Sequence, residues 1–335
     1  MKVLLICNYK PGVGGISGQV ELLQKHLREE GHTADIFTTK TSFLRRLMLP
    51  LKLQHRAKQY DVLHIHCCSG WGFLPAVVGI ATGRRLSKRT VTTYHGGGGE
   101  AFFDKHSKLV RHFLSRTNAN IVLSGFLANI FDKHHLPYTI IPNIIDLDDS
   151  QFHLRETLKP NFICIRAHEP LYNIPCILRA FKQVQTQLPD ATLTLVGSGS
   201  EHDNLIKEVA EMGLHHVNFT GRVDNNKIYT YLDQTDIMLS TPTVDNMPVS
   251  LLEGMNAGLL VISSRVGGVP YMIKNGMTGL LFESNNHEEL IEKMLWAIKN
   301  QNIAKAIIQQ AYCVVKAYRW ECIKEKIYKI YGIPA

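Results

Sequence analysis

The sequence predicts an α/β protein built from two Rossmann-like, doubly wound domains that face each other across a cleft. Strand-like and helix-like segments alternate along the whole chain, which is typical of a parallel sheet with crossover helices. Each half of the chain begins in the same way, with an apolar strand, a turn and an amphipathic helix. The length of 335 residues is long for a single core and suits two domains of ordinary size. We therefore expect ligand sites at the carboxyl ends of the strands.

Six strands are predicted in each half of the chain. They are residues 3–8, 34–38, 61–66, 90–94, 120–124 and 139–142 in the first half, and 161–167, 191–197, 217–220, 236–240, 259–263 and 279–282 in the second. Residues 146–159 are polar and acidic and form the predicted linker. The sequence thus predicts one domain over residues 1–155 and a second over 156–312, with a final segment, 313–335, whose helix at 320–331 packs back on the first domain.

Composition limits the class of protein. Apolar content of 45% and charged content of 20% are those of a folded globular chain. No run of the sequence approaches the roughly 20 apolar residues that a membrane-spanning helix needs. The seven cysteines are odd in number and lack a CxxC pair or a zinc-binding spacing, which indicates buried thiols in a reducing compartment. The predicted location is therefore cytoplasmic.

The net charge of +8 is concentrated between residues 40 and 116. Within that region, residues 42–59 interleave basic side chains with leucines and other apolar residues. Two interpretations remain open: a helix that rests on an anionic membrane, placing the protein peripherally on the inner face of the plasma membrane, or a core-packing helix with a solvated basic face. Nucleic acid is disfavoured as a partner because no recognisable nucleic-acid module accompanies the charge.

The segment from Asp245 to Glu253 is the most informative motif. It places two carboxylates eight positions apart, with a helix start at Pro248 between them. Asp245 is expected on the loop after a buried parallel strand, and Glu253 about one turn into the following helix. Carboxylates accept hydrogen bonds from sugar or ribose hydroxyls, and the open backbone N–H groups of a helix start receive phosphate. The motif therefore indicates a ligand that carries both hydroxyls and phosphates.

Other candidate residues also follow predicted strands. They are Gly14 and Gly15 in the first turn, His95 before a run of glycines, and Arg166, Gly197, Arg222 and Val223 in the second half. The planar guanidinium of Arg166 is well shaped to pair with phosphate oxygens. A plain tight turn is the alternative interpretation of the first glycine segment. His64 and His66 are interpreted as core or supporting histidines, and no metal site is proposed.

The motifs of residues 217–282 closely resemble those of the family-4 retaining glycosyltransferases, the glycosyl transferases group 1, which have the GT-B fold. They are the blocks G-R-V, D-I-x-L-S, D-N-M-P-V-S-L-L-E-G-M-N-A-G, S-S-R-V-G-G-V-P and N-G-x-T-G-L-L-F. Weaker matches extend the resemblance over nearly the whole chain: Gly14-Gly15-Ile16, Tyr94-His95-Gly96, residues 141–146, and Gly197-Ser198-Gly199.

The resemblance implies transfer of a hexosyl or N-acetylhexosaminyl group from a UDP-sugar or GDP-sugar, with retention at the anomeric carbon. The implied acceptor is a glycan, a glycolipid, or a lipopolysaccharide or exopolysaccharide, held by the first domain, whereas the second domain binds the donor. No cofactor and no divalent metal is implied. The implied donor-binding residues are Gly14, Gly15, Gly197, Arg222, Val223, Asn246, Pro248, Val249, Ser250 and Glu253, and the implied catalytic residues are His95, Arg166 and Asp245.

The resemblance also implies individual roles. Glu253 would bind the ribose hydroxyls, Asp245 the hydroxyls of the donor sugar, and His95 the region of its 6-position. Arg166 with Gly15 would stabilise the departing diphosphate. Backbone N–H groups around Pro248, Val249 and Ser250 would face the sugar and the diphosphate, and backbone near Arg222 and Val223 the base.

Two departures from the family pattern leave alternatives open. Asp245 stands where the family has a longer glutamate, which raises a question of donor selectivity. Tyr172-Asn173 stand where the family carries Lys-Gly, so a phosphate-gripping cation is missing. The alternatives are a catalytically weak or inactive partner subunit of this fold, and an epimerase that acts on nucleotide sugars.

Overall fold

The computed structural model describes residues 1–11, 15–42, 46–224 and 227–333, which form two compact units. The first unit comprises Met1–Asp146 together with Tyr318–Ala335, and the second comprises Leu147–Ala317. Each unit contains a parallel sheet of six strands among the described residues. The predicted α/β class with two doubly wound sheets is therefore confirmed.

The first sheet has the strand order β2-β1-β3-β4-β5-β6. Its strands are β1 (Lys2–Cys7), β2 (Thr33–Thr38), β3 (Val62–Cys67), β4 (Arg89–Tyr94), β5 (Ala119–Val122) and β6 (Thr139–Ile140). The helices of this half are α1 (Ile16–Glu29), α2 (Leu49–Ala57), α3 (Leu74–Arg85), α4 (Gly99–Lys105), α5 (Ser107–Leu114) and α6 (Gly125–Lys133). Strands β1 and β3 are almost wholly buried, as expected for strands covered by helices on both faces.

The second sheet has the strand order β12-β11-β10-β7-β8-β9. Its strands are β7 (Asn161–Ile165), β8 (Thr192–Val196), β9 (Val217–Gly221), β10 (Ile237–Ser240), β11 (Leu260–Ser264) and β12 (Leu280–Phe282). Its helices are α7 (Ile174–Gln187), α8 (His202–Glu211), α9 (Ile228–Asp233), α10 (Val249–Asn256), α11 (Val269–Met272), α12 (His287–Lys299) and α13 (Gln301–Val315). The predicted strand limits differ from the observed ones by about two residues at most.

The last helix, α14 (Trp320–Tyr331), belongs to the first unit. Its apolar face, including Trp320, Ile323 and Ile327, is buried in the same core as strands β1 and β3. The N–H of the Trp320 indole donates to Glu30 Oε1 at 3.1 Å, which gives the buried ring its polar partner. The helix ends at Gly332 with φ of 74°, a left-handed conformation that glycine adopts without strain.

The division between the units falls after Asp146, earlier than the boundary near residue 155 that the sequence suggests. The reason is that residues after Asp146 pack on the second unit in spite of their polar composition. Phe152 and Leu154 pack against its core. Arg155 donates to the backbone carbonyls of Leu232 and Thr235 at 2.8 Å each, which the linker composition alone does not reveal.

Candidate functional site

The order in which the chain adds strands to the second sheet reverses between β7 and β10. The chain runs outward from β7 through β8 and β9, then crosses back to β10, β11 and β12 on the other side of β7. Loops that leave the carboxyl ends of β7 and β10 therefore diverge, and ligands of open α/β sheets bind at such a point. Arg166 directly follows β7, and Asp245 lies on the loop between β10 and α10.

The guanidinium of Arg166 is fixed by three neighbours at this point. Its Nη2 lies 3.1 Å from Oδ2 of Asp245, and the two side chains are only 9% and 18% exposed. Its Nε and Nη2 also donate to Oγ of Ser240, at 3.3 and 3.1 Å. The ring of Tyr172 lies 5.1 Å from the guanidinium carbon, within the range of a cation–π contact. Among the described residues no acceptor is bonded to Nη1.

Tyr172 and Asn173 form the turn between β7 and α7. Tyr172 ends a short 3-10 turn, Pro170–Tyr172, and Asn173 has φ of 47° and ψ of 44°. This left-handed conformation suits glycine best, and asparagine tolerates it better than most other residues. Asn173 therefore has a backbone conformation that favours glycine, the residue that the resemblance places there. The tyrosine supports Arg166 where the family places a second cation, a contact that the sequence did not predict.

The loops around Arg166 and Asp245 pack closely against neighbouring backbone at two glycines, Gly268 and Gly197. A Cβ at Gly268 would lie 1.8 Å from the backbone oxygen of Asn246, and one at Gly197 would lie 2.0 Å from that of Arg166. The N–H of Gly268 donates to the Asp245 carbonyl at 3.1 Å, and the N–H of Asn246 donates to the Asp245 carboxylate at 2.8 Å. Residues without a side chain are therefore required at both glycine positions.

Glu253 lies in helix α10, which begins at Val249 after Pro248. Burial raises the pKa of Glu253 to about 7, although the positive charge of Arg166 opposes the rise. No hydrogen bond to its carboxylate is found within the described ranges. The first amides of α10, those of Val249 and Ser250, are the ones that a helix start leaves without intrahelical acceptors. One short helix thus carries both a carboxylate that can accept hydrogen bonds from hydroxyls and amides that can donate hydrogen bonds to an anion.

Arg222 and Val223 are farther from this cluster. They follow β9, which is the edge strand, with β8 between it and β7. They therefore share the carboxyl edge of the sheet with Arg166 without adjoining it. Gly197, after β8, lies closer, because its N–H donates to the Gly221 carbonyl at 3.0 Å and its Cα faces the Arg166 backbone.

In the first unit, Gly15 precedes helix α1 with φ of 68°, a conformation that favours glycine. A Cβ built on it would meet no atom of the described residues within 4 Å. The predicted partner in that turn, Gly14, lies outside the described residues.

His95 directly follows β4 and is paired with His66, the penultimate residue of β3. Nδ1 of His66 lies 3.0 Å from Nε2 of His95, and the two rings are stacked with centroids 5.3 Å apart. Burial lowers the pKa of His95 to about 4, and burial with the neighbouring histidines lowers that of His66 well below its ordinary value. Both rings are therefore neutral near pH 7. The sequence predicts His95 as a candidate site residue, but it does not predict the contact of His95 with His66.

The basic segment in the first unit is partly exposed. Helix α2 buries Leu49, Leu53 and Ala57, as the core-packing interpretation requires. Other large apolar side chains remain in solvent: Leu47 is 81% exposed, and Met48, Leu51 and Trp71 are also exposed. The Arg46 guanidinium stands 4.9 Å from the Trp71 ring, which brings Trp71 beside this segment. None of the helices in the described ranges has the length and apolar content needed to span a bilayer.

In the described part of the chain, no group of three or more histidine, cysteine or acidic side chains is arranged as a metal site.

Comparison with protein families decides the class of this protein. A model of the glycosyl transferases group 1 matches residues 147–314, half of the chain, and a model of Glycosyltransferase Family 4 matches residues 39–149. The chain belongs to the glycosyl transferases group 1. The resemblance inferred from the sequence motifs is confirmed, and the protein is a glycosyltransferase.

Individual relatives agree with this assignment. The chain is 24% identical to an uncharacterized glycosyltransferase of Methanocaldococcus jannaschii over 99% of this chain and 98% of that protein. It is also 24% identical to the N-acetyl-alpha-D-glucosaminyl L-malate synthase of Bacillus anthracis, over 99% of this chain and 97% of the relative.

Solved structures show the same fold at low sequence identity. HepE of Anabaena in complex with UDP and glucose matches with a TM-score of 0.80 at 18% identity, over 99% of both chains. Sucrose-phosphate synthase of Thermosynechococcus elongatus matches with a TM-score of 0.84 at 18% identity, over 99% of this chain and 98% of that one. These neighbours support the GT-B fold for this glycosyltransferase.

Proposed function

We propose that this glycosyltransferase is a retaining, metal-independent enzyme that moves a hexosyl or N-acetylhexosaminyl group from a UDP-sugar or GDP-sugar to a glycan or lipid-linked acceptor. The observation that carries the proposal is the position of the Arg166 guanidinium, where the strand order of the second sheet reverses. Asp245, Ser240 and Tyr172 contact this guanidinium. A fixed cation at such a point suits a ligand with a diphosphate. The solved HepE complexes contain UDP, glucose or UDP-glucose, which supports the same donor class here.

The diphosphate is assigned to Arg166 and to the start of helix α10. As the bond to the sugar breaks, negative charge grows on the phosphate oxygen that leaves. Arg166 is already oriented, so it stabilises this charge without a reorganisation cost. Amides of Val249 and Ser250, at the positive end of α10, add hydrogen-bond donors for the same anion. This charge stabilisation comes from protein groups alone, which is why no metal is assigned.

The two carboxylates are assigned to hydroxyl groups. Glu253 binds the ribose, and ribose hydroxyls supply the hydrogen-bond donors that its carboxylate lacks among the described residues. Asp245 binds the donor sugar through the lone pairs that Arg166 and the Asn246 amide leave free. Retention requires the acceptor hydroxyl to approach on the face from which the diphosphate departs. In the first unit, His95 is assigned to the region of the sugar's 6-position.

The acceptor side of the proposal includes an anionic membrane surface. Leu47, Met48, Leu51 and Trp71 form an exposed apolar group beside Arg46, and exposed Lys52 lies on the same segment. Apolar side chains insert at the boundary between headgroups and acyl chains, while neighbouring cations attract anionic lipids. A lipid-linked acceptor, as in the synthesis of a glycolipid, a lipopolysaccharide or an exopolysaccharide, would be presented at such a surface.

A panel of radiolabelled nucleotide sugars tests the proposal. Thermal denaturation with UDP and with GDP first identifies the base, because a ligand that binds only the folded state raises Tm. Transfer or slow hydrolysis of one donor, lost in Arg166→Ala, is the expected result. Tight nucleotide binding without turnover would instead favour an inactive partner subunit. Conversion of one nucleotide sugar into another would favour an epimerase.

A further inference from the structure

The inner histidines of the first unit differ in how their ring nitrogens are satisfied. His64 uses both: Nδ1 lies 2.6 Å from the Tyr331 hydroxyl and Nε2 lies 2.7 Å from Oγ1 of Thr93. His66, only 4% exposed, uses Nδ1 toward His95, while its buried Nε2 has no hydrogen-bond partner among the residues that the structure describes. The His64 and His66 rings lie 4.3 Å apart, so the satisfied ring supports the other.

The unpartnered nitrogen restricts the tautomer of His66. A neutral imidazole carries one N–H and one lone pair. If Nε2 carried the hydrogen, a buried N–H would be left without an acceptor, an arrangement that proteins rarely tolerate. If Nδ1 carries it, the buried Nε2 is only a bare lone pair, which costs less. The His66 Nδ1–H then donates to Nε2 of His95, because that atom lies 3.0 Å away.

The tautomer of His95 follows from this hydrogen bond. Its Nε2 accepts from His66, so its own hydrogen resides on Nδ1. Burial holds the pKa of His95 at about 4, so a second proton does not join near pH 7. A cavity of about 30 Å³ adjoins the pair and is lined by His66, His95 and Asn143 among others.

We propose that His66 is a positioning residue: it fixes His95 as the neutral tautomer with hydrogen on Nδ1, which makes His95 a hydrogen-bond donor toward a substrate oxygen. The inference deepens the proposed function and rests on it for the identity of that oxygen, a sugar hydroxyl or ring substituent. It concerns the orientation and protonation of His95, whereas His64 has a structural role in the core.

Nitrogen-15 NMR of the full-length protein, labelled at histidine, tests the tautomer directly. Two-bond proton–nitrogen correlations separate a protonated ring nitrogen from a bare one, and a His95→Gln variant assigns the His95 signals. At pH 7.5 we expect a protonated Nδ1 and a bare Nε2 in His95. A protonated Nε2 would overturn the inference. This measurement needs no turnover, so its failure is distinct from failure of the proposed function.

Kinetics of two His66 variants test its consequence. Asparagine places an N–H near the position of Nδ1, so His66→Asn should keep the His95 tautomer and stay within about threefold of the normal kcat. His66→Leu should release the tautomer and lower kcat by about tenfold, the scale of one lost hydrogen bond. Unchanged His95 signals and unchanged kcat in a folded His66→Leu protein would overturn the role. Equal losses in both variants, with wild-type His95 signals, would overturn it as well.

Discussion

The Nη2 atom of Arg166 lies 3.1 Å from Oδ2 of Asp245, and both side chains are largely withdrawn from solvent. Breaking a buried ion pair at one side leaves an uncompensated charge, so the two residues respond together to a change in either. In the proposed function one of them holds the leaving diphosphate and the other holds the donor sugar. The pair therefore ties the positions of the two halves of the donor to each other.

Loss of the Arg166 charge should cost most of the activity. We expect Arg166→Ala to lower turnover by about 10²-fold or more, the scale for removing one group that stabilises charge in the transition state. Arg179→Ala is the matched control, because Arg179 lies on α7 in a partly exposed ion pair with Glu208 at 3.9 Å. Steady-state kinetics with the identified donor give the comparison. Equal turnover in the two variants would contradict the role of Arg166.

Donor affinity should rise with pH because of Glu253. Its pKa is raised to about 7, so the carboxyl is mostly protonated below pH 7 and ionised above it. Ribose hydroxyls donate better to the ionised form, so binding should expel the proton. The Kd of the nucleoside diphosphate should fall up to about tenfold for each pH unit as pH rises toward 7, then level off. Calorimetry from pH 5.5 to 8.5 measures this.

Glu253→Gln provides the reference for that titration. The variant cannot ionise at this position, and the phosphate groups of the nucleotide titrate equally in both proteins. The ratio of the two Kd values should therefore change with pH only below about pH 7. A pH-independent ratio would show that Glu253 does not bind the nucleotide in its ionised form.

The ring of Tyr172 should matter more than its hydroxyl. Tyr172→Phe keeps the aromatic face 5.1 Å from the Arg166 guanidinium and should leave kcat/KM within about twofold. Tyr172→Leu removes the face and should cost roughly 0.5–2 kcal/mol of transition-state stabilisation. Thermal denaturation of both variants separates this effect from loss of folding. An equal loss in the two variants would show that the hydroxyl, and not the aromatic face, supports Arg166.

A methyl group at Gly268 should disturb the Asp245 loop. The Cβ would stand 1.8 Å from the Asn246 carbonyl oxygen, and the backbone must shift to admit it. We expect Gly268→Ala to lower the free energy of unfolding by about 1–3 kcal/mol and to weaken nucleotide binding. Gly98→Ala is the control, since a Cβ there would meet no atom within 4 Å in the described part of the chain. Chemical denaturation measures the stability of both variants. Similar denaturation midpoints for the two variants would contradict the close packing at Gly268.

The exposed apolar group near α2 should govern binding to vesicles. Replacing Leu51 and Trp71 together by serine should lower the affinity for phosphatidylglycerol-containing vesicles by at least about tenfold, because burial of these side chains is lost. The attraction should also weaken with added salt. Ile303→Ser, which removes an apolar side chain 54% exposed on α13, is the control. Equal sedimentation of both variants with the vesicles would contradict the surface.

Much of the candidate site could be located from the sequence because parallel strands end at one edge of a sheet. Arg166, Asp245 and Glu253 are named by strand and helix patterns, and the structure brings them together at the crossing from β7 to β10. The contacts of Ser240 and Tyr172 with Arg166 could not be predicted, because they depend on the directions of these side chains in the folded chain. Sequence patterns do not specify those directions. The His66–His95 pair likewise depends on the register of β3 with β4, which pairs His66 with Thr93.

The anomeric configuration of the first product tests retention and donor use most directly. With an α-linked UDP-sugar or GDP-sugar, proton NMR can follow the sugar released by slow donor hydrolysis before its anomers equilibrate. Retention predicts that the α anomer forms first, and that Arg166→Ala slows its formation by about 10²-fold or more. Initial formation of the β anomer would contradict the proposed retaining transfer.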